Sequence, residues 1–307
     1  MKQKIKLTTD YGSVRLRLLT TSTPWLIIAM LFFNFCHLNA RSKFKEQITF
    51  HDDLHYSSPA SKDNSFDVYL PKTAAAPTPA VVFVHGGYWR NQARSYYRAF
   101  TGLYENFGLA LASRGIATAV IDYRLFPHAK PAEQIADVKA AVAFLKAHAT
   151  EYNIDPNAIV VMGHSAGGHL ALMAAWQNRN TDIRAVVALS PILDIAHMRQ
   201  NKEADFNQEL TVPFFGNGEQ DGEFSPATYA SAKTQAALLL FGENDYAYLI
   251  EQSRLYREKF GAANLKHVMV ESVPGVDHSS IVMDVNSKTD KVSERVASYI
   301  KKIIEQR

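Results

Sequence analysis

From about residue 45 the chain alternates short apolar runs with stretches of helical periodicity, and few folds accommodate that rhythm. The candidate strands are Ile48–Phe50, Phe66–Leu70, Ala80–Val84, Ala117–Ile121, Ile159–Met162, Ala185–Leu189, Ala236–Phe241 and Lys266–Val270. The central ones are unbroken apolar or β-branched runs, the pattern of strands buried on both faces. Between them lie candidate helices at Tyr96–Ser113, Pro131–His148, Gly167–Gln177, Tyr248–Phe260 and Val292–Glu305. In the second, Ile135, Val138, Val142 and Leu145 recur at three- and four-residue spacing and put one apolar stripe on the sheet. Strands alternating with helices predict an α/β domain over residues 41–307, an eight-stranded, mostly parallel sheet covered on both faces. A chain of 307 residues with 47% hydrophobic and 21% charged side chains has ample core for it. The loop Thr73–Pro79 is rich in small residues and proline. The rhythm fails from Asp194 to Lys233, where no strand is evident. A connection that long is usually functional, and residues 194–233 are expected to form a small cap over a pocket. Phe206, Phe214, Phe215 and Phe224 would be its core or the pocket wall.

Gly163-His164-Ser165-Ala166-Gly167 follows the strand Ile159–Met162 and precedes the helix containing Leu170–Ala175. Roughly one chain of this length in ten would carry Gly-x-Ser-x-Gly by chance, given glycine's share of residues. The strand-to-helix context is what makes it a nucleophile turn, with Ser165 Oγ exposed at the sheet's edge. Glycines at 163 and 167 remove side chains that would clash there. The helix N-terminus also turns its free N–H groups toward developing negative charge.

A second loop follows the third strand, His85-Gly86-Gly87-Tyr88-Trp89. Acyl transfer needs N–H donors about 3 Å from the developing oxyanion, and glycine lets main chain approach that closely. Gly86, Gly87, Tyr88 and Ala166 are the candidates, with Gly87 and Tyr88 the loop donors and Gly86 shaping the turn. His85 is expected to brace the loop, and Trp89 to pack. In folds with this turn the chain order is serine, acid, histidine. Asp245 ends the seventh strand and His278 precedes the last helix, so Ser165, Asp245 and His278 are the candidate triad. Glu243 is the rival acid; Asp194, at the end of the sixth strand, is expected to hold the cap in place, though some related folds draw the acid from there. Asp277 adjoins His278 too closely to face it, and His267 reads as structural.

His164 and His169 flank the turn without a carboxylate or cysteine at ligand spacing, so no metal is expected. No phosphate loop or dinucleotide fingerprint occurs, and no cofactor is expected. The formal charge of +3 owes much to Lys2, Lys4, Lys6, Arg15 and Arg17 and gives no nucleic-acid footprint. That basic stretch, the apolar run from Trp25 to Phe33 and the small residue Ala40 predict an export signal over residues 1–40, hence a periplasmic or secreted protein. An uncleaved anchor is the alternative, and the membrane contact would then be confined to that segment. The bulky Phe33-Asn34-Phe35 argues against a lipid on Cys36, and a single cysteine excludes an internal disulfide.

Together, His85–Trp89, Asp122-Tyr123-Arg124-Leu125, Gly163–Gly168, Asp245 and His278 resemble the hormone-sensitive-lipase-like esterases of the α/β-hydrolase fold. The loop His-Gly-Gly-x-Trp and Gly242-Glu243-Asn244-Asp245 with Gln252-Ser253 look most like the carboxylesterase and kynurenine-formamidase branch. The resemblance covers about residues 60–300. It implies cofactor-free hydrolysis of a small-molecule ester or, alternatively, an aryl formamide. Gly168, where a formamidase is expected to carry alanine, and the export segment both depart from a formamidase. A non-enzymatic binding module is a third reading, weakened by the presence of all three triad residues.

Overall fold

The computed structural model describes residues 42–57 and 61–306. The expected export segment lies outside them, and no described helix is long and apolar enough to cross a membrane. Eight strands form one sheet in the order β1-β2-β4-β3-β5-β6-β7-β8. They are β1 (Ile48–His55), β2 (Ser65–Pro71), β3 (Thr78–Val84), β4 (Ala117–Ile121), β5 (Ile154–His164), β6 (Ala185–Leu189), β7 (Ala236–Gly242) and β8 (Val268–Val273). The β1–β2 and β2–β4 pairs are antiparallel, and all later pairs are parallel.

The six longer helices are α1 (Glu105–Ala112), α2 (Pro131–Ala147), α3 (Ala166–Trp176), α4 (Ile195–Asn201), α5 (Ala247–Ala262) and α6 (Ser293–Glu305). Strand alternation divides the core between the two faces. Val82 and Val84 join Ile135, Val138, Val142 and Leu145 of α2, with α3 and α5, on one side. Val81 and Phe83 join Phe107 and Leu111 of α1 and Val296 and Ile300 of α6 on the other.

Two expectations are adjusted. The single helix expected at Tyr96–Ser113 is two, Arg98–Thr101 and α1, because Gly102 takes a left-handed φ of 67° between them. The last strand lies at Val268–Val273 rather than 266–270: as an edge strand its residues alternate in burial, so the apolar run ends before the pairing does. Residues 194–233 are strandless as expected, and contain α4 and the short helical pieces Ala204–Phe206, Asn207–Thr211, Val212–Phe215 and Pro226–Tyr229. Asp194 accepts from the His197 amide at 3.0 Å to cap α4, and from Tyr256 Oη at 2.6 Å to tie it to α5.

Candidate active site

Every candidate residue lies on a turn or loop, or at a helix start, that follows the C-terminal end of a strand. Ser165 joins β5 to α3 with φ 56° and ψ −121°, a sparsely populated conformation for a residue with a side chain. Its neighbours make room for the turn. A Cβ on Gly163 would lie 2.3 Å from the Gly167 carbonyl, and one on Gly167 would lie 2.1 Å from the Val84 carbonyl. The Ser165 amide donates to the Leu189 carbonyl at 2.8 Å, anchoring the turn on β6.

The histidine and the acid reach this serine from two loops. His278 Nε2 lies 3.1 Å from Ser165 Oγ, and His278 Nδ1 lies 2.9 Å from Asp245 Oδ1. Asp245 is buried and also accepts from Ser190 Oγ at 2.5 Å and from the Tyr246 amide at 2.8 Å. Burial raises its pKa, but the bonds from His278, Ser190 and the Tyr246 amide outweigh that and hold it below the ordinary carboxylate range. With Asp245 ionised, His278 Nδ1 carries the hydrogen and Nε2 is free to accept the serine proton. The rivals are engaged elsewhere. Glu243 Oε2 accepts from the Gly275 amide at 2.8 Å. Asp277 accepts from the Ser279 and Ser280 amides at 2.9 and 2.7 Å, closing a turn. His267 Nε2 lies 3.4 Å from Thr234 Oγ1, away from the site.

The loop after β3 turns through three successive positive φ values, at Gly87 (106°), Tyr88 (53°) and Trp89 (60°). A Cβ on Gly87 would lie 2.1 Å from the Asn91 carbonyl, so that position requires glycine. The Gly87, Tyr88 and Ala166 amides make no hydrogen bond among the described residues. Gly86 differs from its expected grouping with these donors: its N–H donates to Tyr104 Oη at 3.1 Å and is spent on holding the loop to α1. The Tyr104 hydroxyl in turn donates to Gln92 Oε1. His85 braces the loop, its Nδ1 donating to the Gly86 carbonyl at 2.7 Å and its ring stacked 4.4 Å from Tyr123. Trp89 is fully buried, stacks on Phe214, and donates to His169 Nδ1 at 3.2 Å.

A cavity of about 260 Å³ opens beside Ser165 and His278, bounded by Gly87, Tyr88, Tyr96, Tyr97, Tyr246 and Met283 among others. Among the described residues none of its lining comes from the expected cap. Phe214, Phe215 and Phe224 are buried in the core on the α2 and α3 face of the sheet, and Phe206 packs edge-on against Tyr88. Lys202 completes the join, its Nζ 4.5 to 5.8 Å from the ring centres of Tyr88, Phe206, Tyr246 and Tyr248. Tyr104, Tyr246 and Lys202 escaped the sequence reading, since each acts through a contact between distant segments and has no motif of its own; His164, weighed in the sequence only as a metal ligand, likewise acts through such a contact.

The sheet order, the strand–turn–helix at Ser165 and the loop after β3 together define the α/β-hydrolase fold. A family model described as BD-FAE matches residues 66–260, and the chain belongs to that family. A probable isoprenylcysteine α-carbonyl methylesterase of Oryza sativa is 29% identical over 77% of this chain and 61% of its own length. Esterase LipC of Mycobacterium tuberculosis is 26% identical over 74% of this chain and 59% of its own. The chain thus spans about three-fifths of these two relatives. A kynurenine formamidase of Salmo salar is 22% identical over 70% of this chain and 71% of its own length. Among solved structures, a truncated carbohydrate esterase from gut microbiota superposes with a TM-score of 0.71. It shares 21% identity, with 84% of this chain and 96% of that one covered. That likeness is one of fold.

Proposed function

We propose that this protein is a serine carboxylesterase, with Ser165, His278 and Asp245 as nucleophile, base and orienting acid. As Ser165 Oγ attacks an ester carbonyl, its proton passes to His278 Nε2, and Asp245 stabilises the imidazolium. The amides of Gly87, Tyr88 and Ala166 receive the negative oxygen. Collapse expels the alcohol, which takes the proton from Nε2. Water then attacks the acyl-enzyme with His278 again as base, and the acid leaves. The observation that carries this reading is the unbroken chain from Ser165 Oγ through His278 to Asp245, at 3.1 and 2.9 Å. The small cavity favours short acyl groups. Ser165→Ala is expected to lower kcat on 4-nitrophenyl butyrate by about 10⁴-fold or more and to abolish labelling by a fluorophosphonate probe. Retention of either property would sink the proposal.

The same machinery would cleave an aryl formamide. That second reading is favoured by the aromatic rim of Tyr88, Tyr96, Tyr97 and Tyr246 and by the formamidase relative. The ratio of kcat/KM on N-formylkynurenine to that on 4-nitrophenyl butyrate decides between them: a value well above one selects the formamidase, a value below one the esterase.

A further inference from the structure

The residue immediately before the nucleophile is a histidine that the reaction above leaves unused. His164 ends β5, is buried, and lies against His278 with ring centres 4.8 Å apart. Its Nε2 is 2.9 Å from the main-chain oxygen of His278. A carbonyl only accepts, so Nε2 carries the hydrogen and Nδ1 is bare. Nδ1 is enclosed with no hydrogen-bond partner among the described residues, and it faces the donor loop: a Cβ on Gly86 would come within 3.1 Å of it. Burial, and then the neighbouring His278, push the His164 pKa down to about 3, so the ring is neutral at ordinary pH.

His278 rides on a loop whose other anchors belong to its neighbours. The Val276 carbonyl accepts from the Asn244 amide at 2.9 Å, and Asp277 organises the turn that follows. Among the described residues the His164 bond is the one hydrogen bond made to the main chain of His278. It joins the base's own peptide to the strand that carries the nucleophile, one residue from Ser165.

We propose that His164 is a positioning residue: its Nε2–H holds the His278 main chain in register with β5, so that the imidazole meets Ser165 Oγ at hydrogen-bond distance. This rests on the serine-esterase reading of the site. A neutral donor suits the position. A carboxylate could not donate to the carbonyl, and a fixed cation would oppose the imidazolium that forms on His278. Misplacement of a reacting group by about 1 Å costs on the order of 100-fold in rate.

The test compares wild type, His164→Gln and His164→Leu in steady-state hydrolysis of 4-nitrophenyl butyrate, together with the rate of fluorophosphonate labelling. Glutamine carries an N–H at about the reach of Nε2, and leucine carries none. His164→Leu is expected to lose about 10- to 100-fold in kcat and in labelling rate with KM little changed. His164→Gln is expected to recover most of that loss. The proposal fails if the leucine variant keeps its kcat, if glutamine falls as far as leucine, or if the loss lies in KM. Should the leucine variant not fold, His164→Asn replaces it, because its shorter amide misses the carbonyl. A wild type that neither labels at Ser165 nor cleaves the ester overturns the esterase reading and this inference with it. A fully active wild type with an unimpaired leucine variant overturns this inference alone.

Discussion

Asp245 and Glu243 stand two residues apart on one loop, yet their surroundings assign them different work. Asp245 is buried among donors from His278, Ser190 and the main chain, whereas Glu243 is exposed and ties down Gly275. Asp245→Asn would remove the charge that stabilises the imidazolium and fixes its tautomer. It is expected to lower kcat by about 10⁴-fold, while Glu243→Gln stays within about twofold, surface changes of this kind being nearly neutral. Esterase assays on the two purified variants check this, and equal losses would overturn the assignment. At this scale the sequence is legible wherever a reactive residue type falls on a turn or loop that follows a strand, as for Ser165, Asp245 and His278. It is silent where function depends on a distant docking. The Gly86 amide is spent on Tyr104 only because α1 brings that phenol against the loop, and no local pattern announces it.

Helix α3 does more than present the nucleophile turn. His169, one turn in, accepts from the Trp89 indole through Nδ1 and donates through Nε2 to the Phe224 carbonyl at 2.7 Å. One imidazole thus connects the donor loop to the segment between β6 and β7, and it can do so only as the neutral tautomer. Burial pushes its pKa down to about 4, and burial also lowers that of His85. A folded pKa below the unfolded value of about 6.5 gives stability that is complete above that pH and is lost as pH falls toward the folded value. His169 then contributes a slope approaching about 1.4 kcal/mol per pH unit between those two values. Urea unfolding at pH 7, 6 and 5 is expected to show that decline, and His169→Gln to flatten it by one group's share. A variant with the wild-type slope would count against the assignment. Element boundaries were less legible than element types. The buried runs mark β3 to β7 plainly, but the left-handed Gly102 divides what reads as one helix, and the alternating burial of β8 hides its end.

The architecture as a whole was the most legible level, because a sheet buried on both faces needs continuous apolar strands and one-sided helices, and both leave periodic traces. Less legible was where the segment 194–233 would sit. Its four phenylalanines suit a cavity wall or a core equally well, and three of them are core. What the whole fold does carry is the cost of the turn at Ser165. Ser165 is held at φ 56° and ψ −121° by β5, α3 and the close glycines around it, a conformation worth on the order of 1–3 kcal/mol of strain for a residue bearing a Cβ. Glycine ordinarily destabilises a fold relative to alanine by roughly 0.5–1 kcal/mol. At this position the order is expected to reverse: Ser165→Gly should be more stable than Ser165→Ala by about 1 kcal/mol in thermal or urea unfolding, and the opposite order would rule out strain at the turn. On the proposed function, the reaction requires at 165 a side chain that the backbone conformation there disfavours. A lineage released from that chemistry would gain stability by drifting to glycine at 165, so a glycine there in a related sequence would mark a scaffold turned to another use.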